Sequence, residues 1–283
     1  FRTGSTMLWN MFSQIPEVCA FYEPLHEQLF SLADARVQPE HFHVKGYYAE
    51  YRSTAGLLGT YRAEHGYNRL LLEADDRYDS LKTYLDTLIG SKAFQKVVLQ
   101  CNRVDFRLDW LKQWFPQAKI LHLYRDPRSQ WQSSLVRFSG DVDADIDADP
   151  YRITTWSRDL CGMFPFLAAP FLRHPYQRFY YLWKLSYLAG SRQAHLSLRY
   201  EDFLEHPEES IKKMLELAGL HSDENLQRCQ AVLVRQPERL WRENRPESWY
   251  AELEGECEDL LERFGLNARF GLAPLREIIT ACP

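Results

Sequence analysis

The sequence predicts an α/β fold: a parallel β-sheet flanked by helices on both faces, with a helical C-terminal segment. Three observations predict it. Short apolar runs rich in strand formers recur at KVVLQ (96–100), KILHLY (119–124) and HLSLRY (195–200). Between and after them stand stretches with helical spacing and helix punctuation. Strand alternating with helix at this spacing is the signature of parallel crossover connections.

The elements follow in order. Residues 7–12 read as the first helix, extending toward Pro16. Phe1 is read as the end of a preceding strand. Residues 77–89 carry Tyr78, Leu81, Leu85 and Leu88 on one helical side. After the strand at 96–100, Val104, Leu108, Leu111 and Phe115 define an amphipathic helix that Pro116 stops. Asp105 and Arg107 are expected to be exposed on it. After the strand at 119–124, Pro127 opens a helix, because it lacks the N–H that a first turn leaves unpaired. After the strand at 195–200, Pro207, Glu208 and Glu209 open a helix carrying Ile211, Met214 and Leu215, and Gly219 ends it. The segment 221–283 reads as helices packed on the sheet. The whole chain, 1–283, is read as one domain: an α/β core over 1–220, with a Tyr-, His- and Arg-rich irregular region at 34–75, and the helical segment after it.

Composition excludes several classes. The 283 residues carry a net charge of −5, which argues against a general nucleic-acid binder. The six cysteines form no CxxC pair, which argues against zinc; the absence of a disulfide pattern favours the cytoplasm. The chain starts at Phe1, so no targeting segment is read from it. DVDADIDADP (141–150) lacks the central glycine and closing glutamate of a calcium loop and reads as a solvated acidic loop. HFH (41–43) offers two metal ligands without a third nearby and is read as structural.

In parallel sheets, ligands sit at the carboxyl ends of the strands. That rule selects the opening loop and residues 100–103, 125–128 and 200–202. The opening FRTGSTMLWNMF places Gly4, Ser5 and Thr6 just before a helix, with Arg2 two residues ahead of the glycine. One reading is an anion site. The N–H groups of Gly4, Ser5, Thr6 and Met7 would face the ligand, with the helix dipole, two hydroxyls and a guanidinium to assist. The other reading is a helix capped by Ser5 or Thr6. It is not a Walker A loop, since no Gly-Lys pair follows. The stretch YRDPRSQWQSS (124–134) puts Arg125 at a strand end and Ser133 two helical turns beyond Asp126, so that both side chains can address one phosphate.

Together, RTGST, YRDPRSQWQSS and LRYEDFLEHPEESIKKMLELAGL (198–220) resemble the sulfotransferases that use 3′-phosphoadenosine 5′-phosphosulfate (PAPS), with their P-loop-like fold. The resemblance runs from residue 1 to about 220. It lies closer to the carbohydrate, protein-tyrosine and bacterial branches than to the cytosolic small-molecule branch. It implies that Arg2, Thr3, Gly4, Ser5, Thr6 and Met7 hold the 5′-phosphosulfate end. Arg125 and Ser133, eight residues apart as in the family, would hold the 3′-phosphate, and Tyr200 would touch the nucleoside. It further implies PAPS as donor, 3′-phosphoadenosine 5′-phosphate (PAP) as product, no required metal, and an acceptor hydroxyl, with a carbohydrate or glycoconjugate favoured. The chain departs from many relatives in carrying Arg2 in place of lysine and Gln100 where some have lysine. It also lacks the Arg-Lys-Gly loop of the cytosolic branch, of which RFG (263–265) is a poor echo.

Sulfuryl transfer needs an in-line path, a clamp on the leaving group and a base for the acceptor hydroxyl. Arg2 would stabilise the leaving phosphate. Within FYEPLHEQL (21–29), Glu23 is the first candidate base, as the resemblance also implies, and His26 the second; His41 and His43 come third. Trp9, Tyr22, Tyr47, Tyr48 and Trp131 are read first as core and second as stacking platforms for an acceptor, whose contacts are expected in 34–75. The rival readings are a P-loop-type small-molecule kinase and a relative that keeps the fold without catalysis.

Overall fold

The computed structural model describes residues 3–34, 46–91, 95–136, 138–233 and 245–265. Phe1, Arg2, His41, His43 and the first part of the region 34–75 lie outside them.

Helix α1 (Ser5–Ser13) packs on strands β1 (Val18–Tyr22) and β2 (Lys96–Gln100). Helix α2 (Asp79–Gly90) follows the region after β1, and a 3-10 turn at Asp105–Arg107 leads into α3 (Leu108–Trp114). Strand β3 (Leu121–Tyr124) runs into α4 (Pro127–Leu135), which has Pro127 at its first position as expected. The long α5 (Pro175–Gln193) precedes β4 (Leu196–Arg199). Helices α6 (Tyr200–Glu205), α7 (Pro207–Ala218), α8 (Asp223–Ala231) and α9 (Glu247–Arg263) follow; shorter helices at Leu29–Asp34, Ala49–Arg52, Leu57–Thr60 and Thr154–Leu160 lie between the numbered elements. Gly219 ends α7 in the left-handed conformation at φ 61°.

Among the described residues, hydrogen bonds join the strands as two parallel pairs: β1 with β2, in register from Val18↔Lys96 to Tyr22↔Gln100, and β3 with β4, from Leu121↔Leu196 to Tyr124↔Arg199. Both pairs feed one core. Val97, Leu99, Leu121, Leu123, Leu196 and Leu198 pack against a cluster that contains Met11, Phe21, Leu85, Ile211 and Leu215. The alternate residues of β3 face the other way. His122 and Tyr124 meet Tyr187 of α5, and a Cβ at Gly190 would lie 2.5 Å from the His122 ring. Helices therefore cover both faces of this strand. A second core of Trp131, Phe164, Phe166, Tyr176, Phe179 and Tyr250 joins α4, α5 and α9.

The structure departs from the expectations in three places. β1 and α5 are elements that the sequence pattern did not single out. The stretch 104–115 starts as a 3-10 turn, and Arg107 is fully buried rather than exposed. Its guanidinium donates to the carbonyls of His65 (2.7 Å), Asn68 (2.7 Å) and Arg69 (3.0 Å), which fixes that loop; Asp105 is half-buried and accepts from Ser186. The acidic loop is largely exposed, yet at its end the Asp149 carboxylate accepts the N–H groups of Ile153 and Thr154 and so anchors the start of a short helix.

Candidate active site

The candidate residues gather at the carboxyl ends of the four strands. Gly4 starts α1 at φ 92°, a left-handed conformation that suits glycine, and no side chain caps the helix. The first-turn N–H groups of a helix have no intrahelical acceptor. Met7 is an exception to the expectation for this loop: its N–H donates to the Gly4 carbonyl at 2.9 Å, so the turn closes on itself there. Thr3 and Ser5 flank Gly4 and are half-buried, and the Thr6 hydroxyl meets the Tyr22 hydroxyl at 3.0 Å. That contact joins the first turn of α1 to the end of β1.

A second junction joins α1 to the other strand pair. A Cβ on Gly4 would lie 2.4 Å from Cε2 of Tyr200, so the Tyr200 ring rests directly on the glycine. The Arg125 guanidinium lies 4.8 Å from the centre of the same ring, a cation–π distance. Gly4, Arg125 and Tyr200, far apart in the chain, thus form one stack.

Local bonds hold Arg125 at this place. Its carbonyl accepts from the Trp183 indole at 3.0 Å. Asp126 caps α4 by accepting the Ser129 N–H at 2.8 Å, and its own N–H donates to Glu201 at 3.1 Å, tying α4 to the end of β4. Ser133 is half-buried on the second turn, where its hydroxyl donates to the Gln130 carbonyl at 2.8 Å.

Glu23 follows the last residue of β1. Its N–H donates to the Gln100 carbonyl at 2.9 Å, extending the ladder by one step, and its backbone turns to φ 44°. Its carboxylate is buried between two donors: Asn102 Nδ2 reaches Oε1 at 2.6 Å and Arg103 Nη1 reaches Oε2 at 3.3 Å. Arg103 also holds Glu27 at 2.7 Å. His26 lies beside this cluster. Burial, and next the charge of Arg103, push its imidazole below the usual histidine range, so it is neutral near pH 7. Its Nδ1 accepts the Gln28 N–H at 3.1 Å, which puts the ring hydrogen on Nε2. Burial likewise holds the Tyr22 and Tyr48 phenols above their usual range, as neutral donors.

Of the aromatic candidates, Trp9, Tyr47, Tyr48 and Trp131 are buried, and Tyr22 is half-buried. The described part of the region 34–75 packs on both sides of Glu23 in the chain: Tyr51 donates to the Tyr22 carbonyl at 2.9 Å and Tyr61 to the His26 carbonyl at 2.6 Å. The sequence pattern did not point to Asn102 and Arg103 as partners of Glu23. The signal for them was their position just past β2, at the strand end that parallel-sheet logic selects.

No curated protein matches the sequence. A model of the sulfotransferase family matches residues 1–224. That span runs through all four strand ends, from the Gly4 turn to Tyr200 and on into α8, and the chain accordingly belongs to the sulfotransferase family.

Proposed function

We propose that this sulfotransferase moves the sulfuryl group of PAPS to the hydroxyl of a carbohydrate or glycoconjugate, with Glu23 as the base. The observation that carries the reading is the stack of Gly4, Tyr200 and Arg125, which unites the helix start with the second strand pair.

The residues fit such a donor. Because Gly4 lacks a Cβ, the Tyr200 ring closes directly on the start of α1, beside the first-turn N–H groups that would meet an anion. Arg2, Thr3, Gly4, Ser5, Thr6 and Met7 would line the 5′-phosphosulfate end, and the Ser5 and Thr6 N–H groups would serve as its backbone donors. Arg125 and Ser133 would hold the 3′-phosphate, the Ser133 hydroxyl turning away from Gln130 to donate to it, and Tyr200 would flank the nucleoside. The donor supplies an activated sulfuryl group on a phosphate leaving group.

The chain's own residues supply the rest. Glu23 is an oriented carboxylate one residue beyond Tyr22, whose hydroxyl touches the helix start. His26 is the weaker candidate: its free Nε2 carries the ring hydrogen, while Nδ1 is engaged by a backbone N–H. The bonds from Tyr51 and Tyr61 to the residues around Glu23 support an acceptor site in the region 34–75. The transfer so described needs no metal.

The test is transfer of labelled sulfuryl groups from PAPS to a panel of glycans. We expect Glu23→Gln to lose roughly 10²- to 10⁴-fold in turnover, as for removal of a general base, with PAP affinity kept. Full activity of the variant would move the base elsewhere. Phosphoryl transfer from ATP to the same panel would replace the whole reading.

A further inference from the structure

The Glu23 carboxylate is held more firmly than a surface base needs. A free glutamate side chain samples many rotamers, and fixing it costs rotational entropy. Here three features fix it in advance. The backbone at φ 44° is one: non-glycine residues in this region concentrate at functional sites. The second is a relay from β2: Gln100 Nε2 donates to Asn102 Oδ1 at 2.8 Å, so the amide of Asn102 must turn its Nδ2 to Glu23 Oε1, at 2.6 Å. The third is Arg103, itself locked by several neighbours. It bridges Glu23 and Glu27, lies 5.4 Å from the centre of the Trp156 ring, and abuts Gly66, where a Cβ would come 3.4 Å from its Cδ.

We propose that Asn102 and Arg103 are positioning residues that fix the Glu23 carboxylate to receive the acceptor's proton; the proposal rests on Glu23 being the base. The short bond to Asn102 pins Oε1, and Oε2, which has the longer contact with Arg103, is the oxygen that would meet the acceptor hydroxyl. In the transfer, the acceptor O–H bond breaks, its proton goes to Oε2, and the acceptor oxygen forms the new bond to sulfur as the bond from sulfur to the 5′-phosphate oxygen breaks.

Asn102 is the residue to change, because it is half-buried and its shape can be kept while its donor is removed. Asn102→Asp keeps the shape, loses the N–H and faces Glu23 with a like charge. We expect it to lose about 100-fold in kcat, the scale of a misplaced catalytic group, with KM for donor and acceptor within about threefold. Asn102→Ala should lose about tenfold or more, and Asn102→Ser, which keeps a donor, should recover part of that loss. Wild-type kcat in Asn102→Asp would overturn the proposal, since a packing role tolerates an isostere. If Glu23→Gln is also fully active, the assignment of the base falls; if Glu23→Gln is inactive while Asn102→Asp is normal, only the positioning role falls. Crystal structures give the same answer without an acceptor. The Glu23 carboxylate should turn away from position 102 in Asn102→Asp, and an unmoved carboxylate would contradict the proposal.

Discussion

Gly4 shows how much one residue can set. Its φ of 92° is open to glycine and strained for other residues, and the Tyr200 ring occupies the place of its Cβ. Gly4→Ala therefore adds a left-handed alanine, at a cost of about 1–2 kcal/mol, and pushes Tyr200 out of the stack with Arg125. We expect PAP affinity in calorimetry to fall at least tenfold; unchanged affinity would show that this stack does not shape the donor site. Arg125 and Tyr200 were legible in the sequence because each sits at a strand end with a helix start behind it, and Gly4 because it stands directly before a helix. Asn102 and Arg103 were not legible as partners of Glu23, because they lie 79 and 80 positions away and only the β1–β2 pairing brings them close. Arg107 was misread for a related reason. Helical spacing put it on a solvent face, but its partners are carbonyls 38–42 positions upstream.

Among the elements, those with punctuation were readable: Pro127 and Pro207 open helices and Gly219 closes one. β1 and α5 were harder for physical reasons. β1 is a five-residue strand, four of whose residues are buried, so it shows no alternation. The first eight residues of α5 are all buried, so its apolar stripe has no polar face to define it. Two joints between elements carry histidines that titrate below their usual range. His65 is fully buried against α2, touching Ser80 and Tyr84, and burial, aided by the charge of Arg107, pushes it down to about 4. His122 bonds Ser197 across β3 and β4 and packs on α5; burial pushes it down to about 4 as well. A histidine held neutral in the folded state contributes stability that is full above its unfolded value near 6.5 and is lost as pH falls toward 4. The urea midpoint should therefore decline between pH 6.5 and 4, less steeply in His122→Gln. An identical slope in the variant would remove this joint from the account.

Across the whole molecule, the two strand pairs carry the two ends of the proposed donor site, and one core binds them together. The segment beyond the family match adds a brace. α9 holds α4 through Arg128 and Glu254, with contacts of 2.9 and 2.8 Å, and Glu254 also accepts from Tyr176 of α5. The helix that starts behind Arg125 is thus held by α5, by α9 and by Glu201 at the end of β4. The central claim is a two-ended nucleotide clamp, and calorimetry of PAP and ATP binding to the wild type and to Arg125→Ala tests it most directly. The account predicts that PAP binds and ATP binds far more weakly. It also predicts that Arg125→Ala loses about 100-fold in PAP affinity, in the range for loss of a charge-assisted pair, with an unchanged unfolding midpoint. Equal affinity for PAP in the variant, or ATP bound as tightly as PAP, would contradict it.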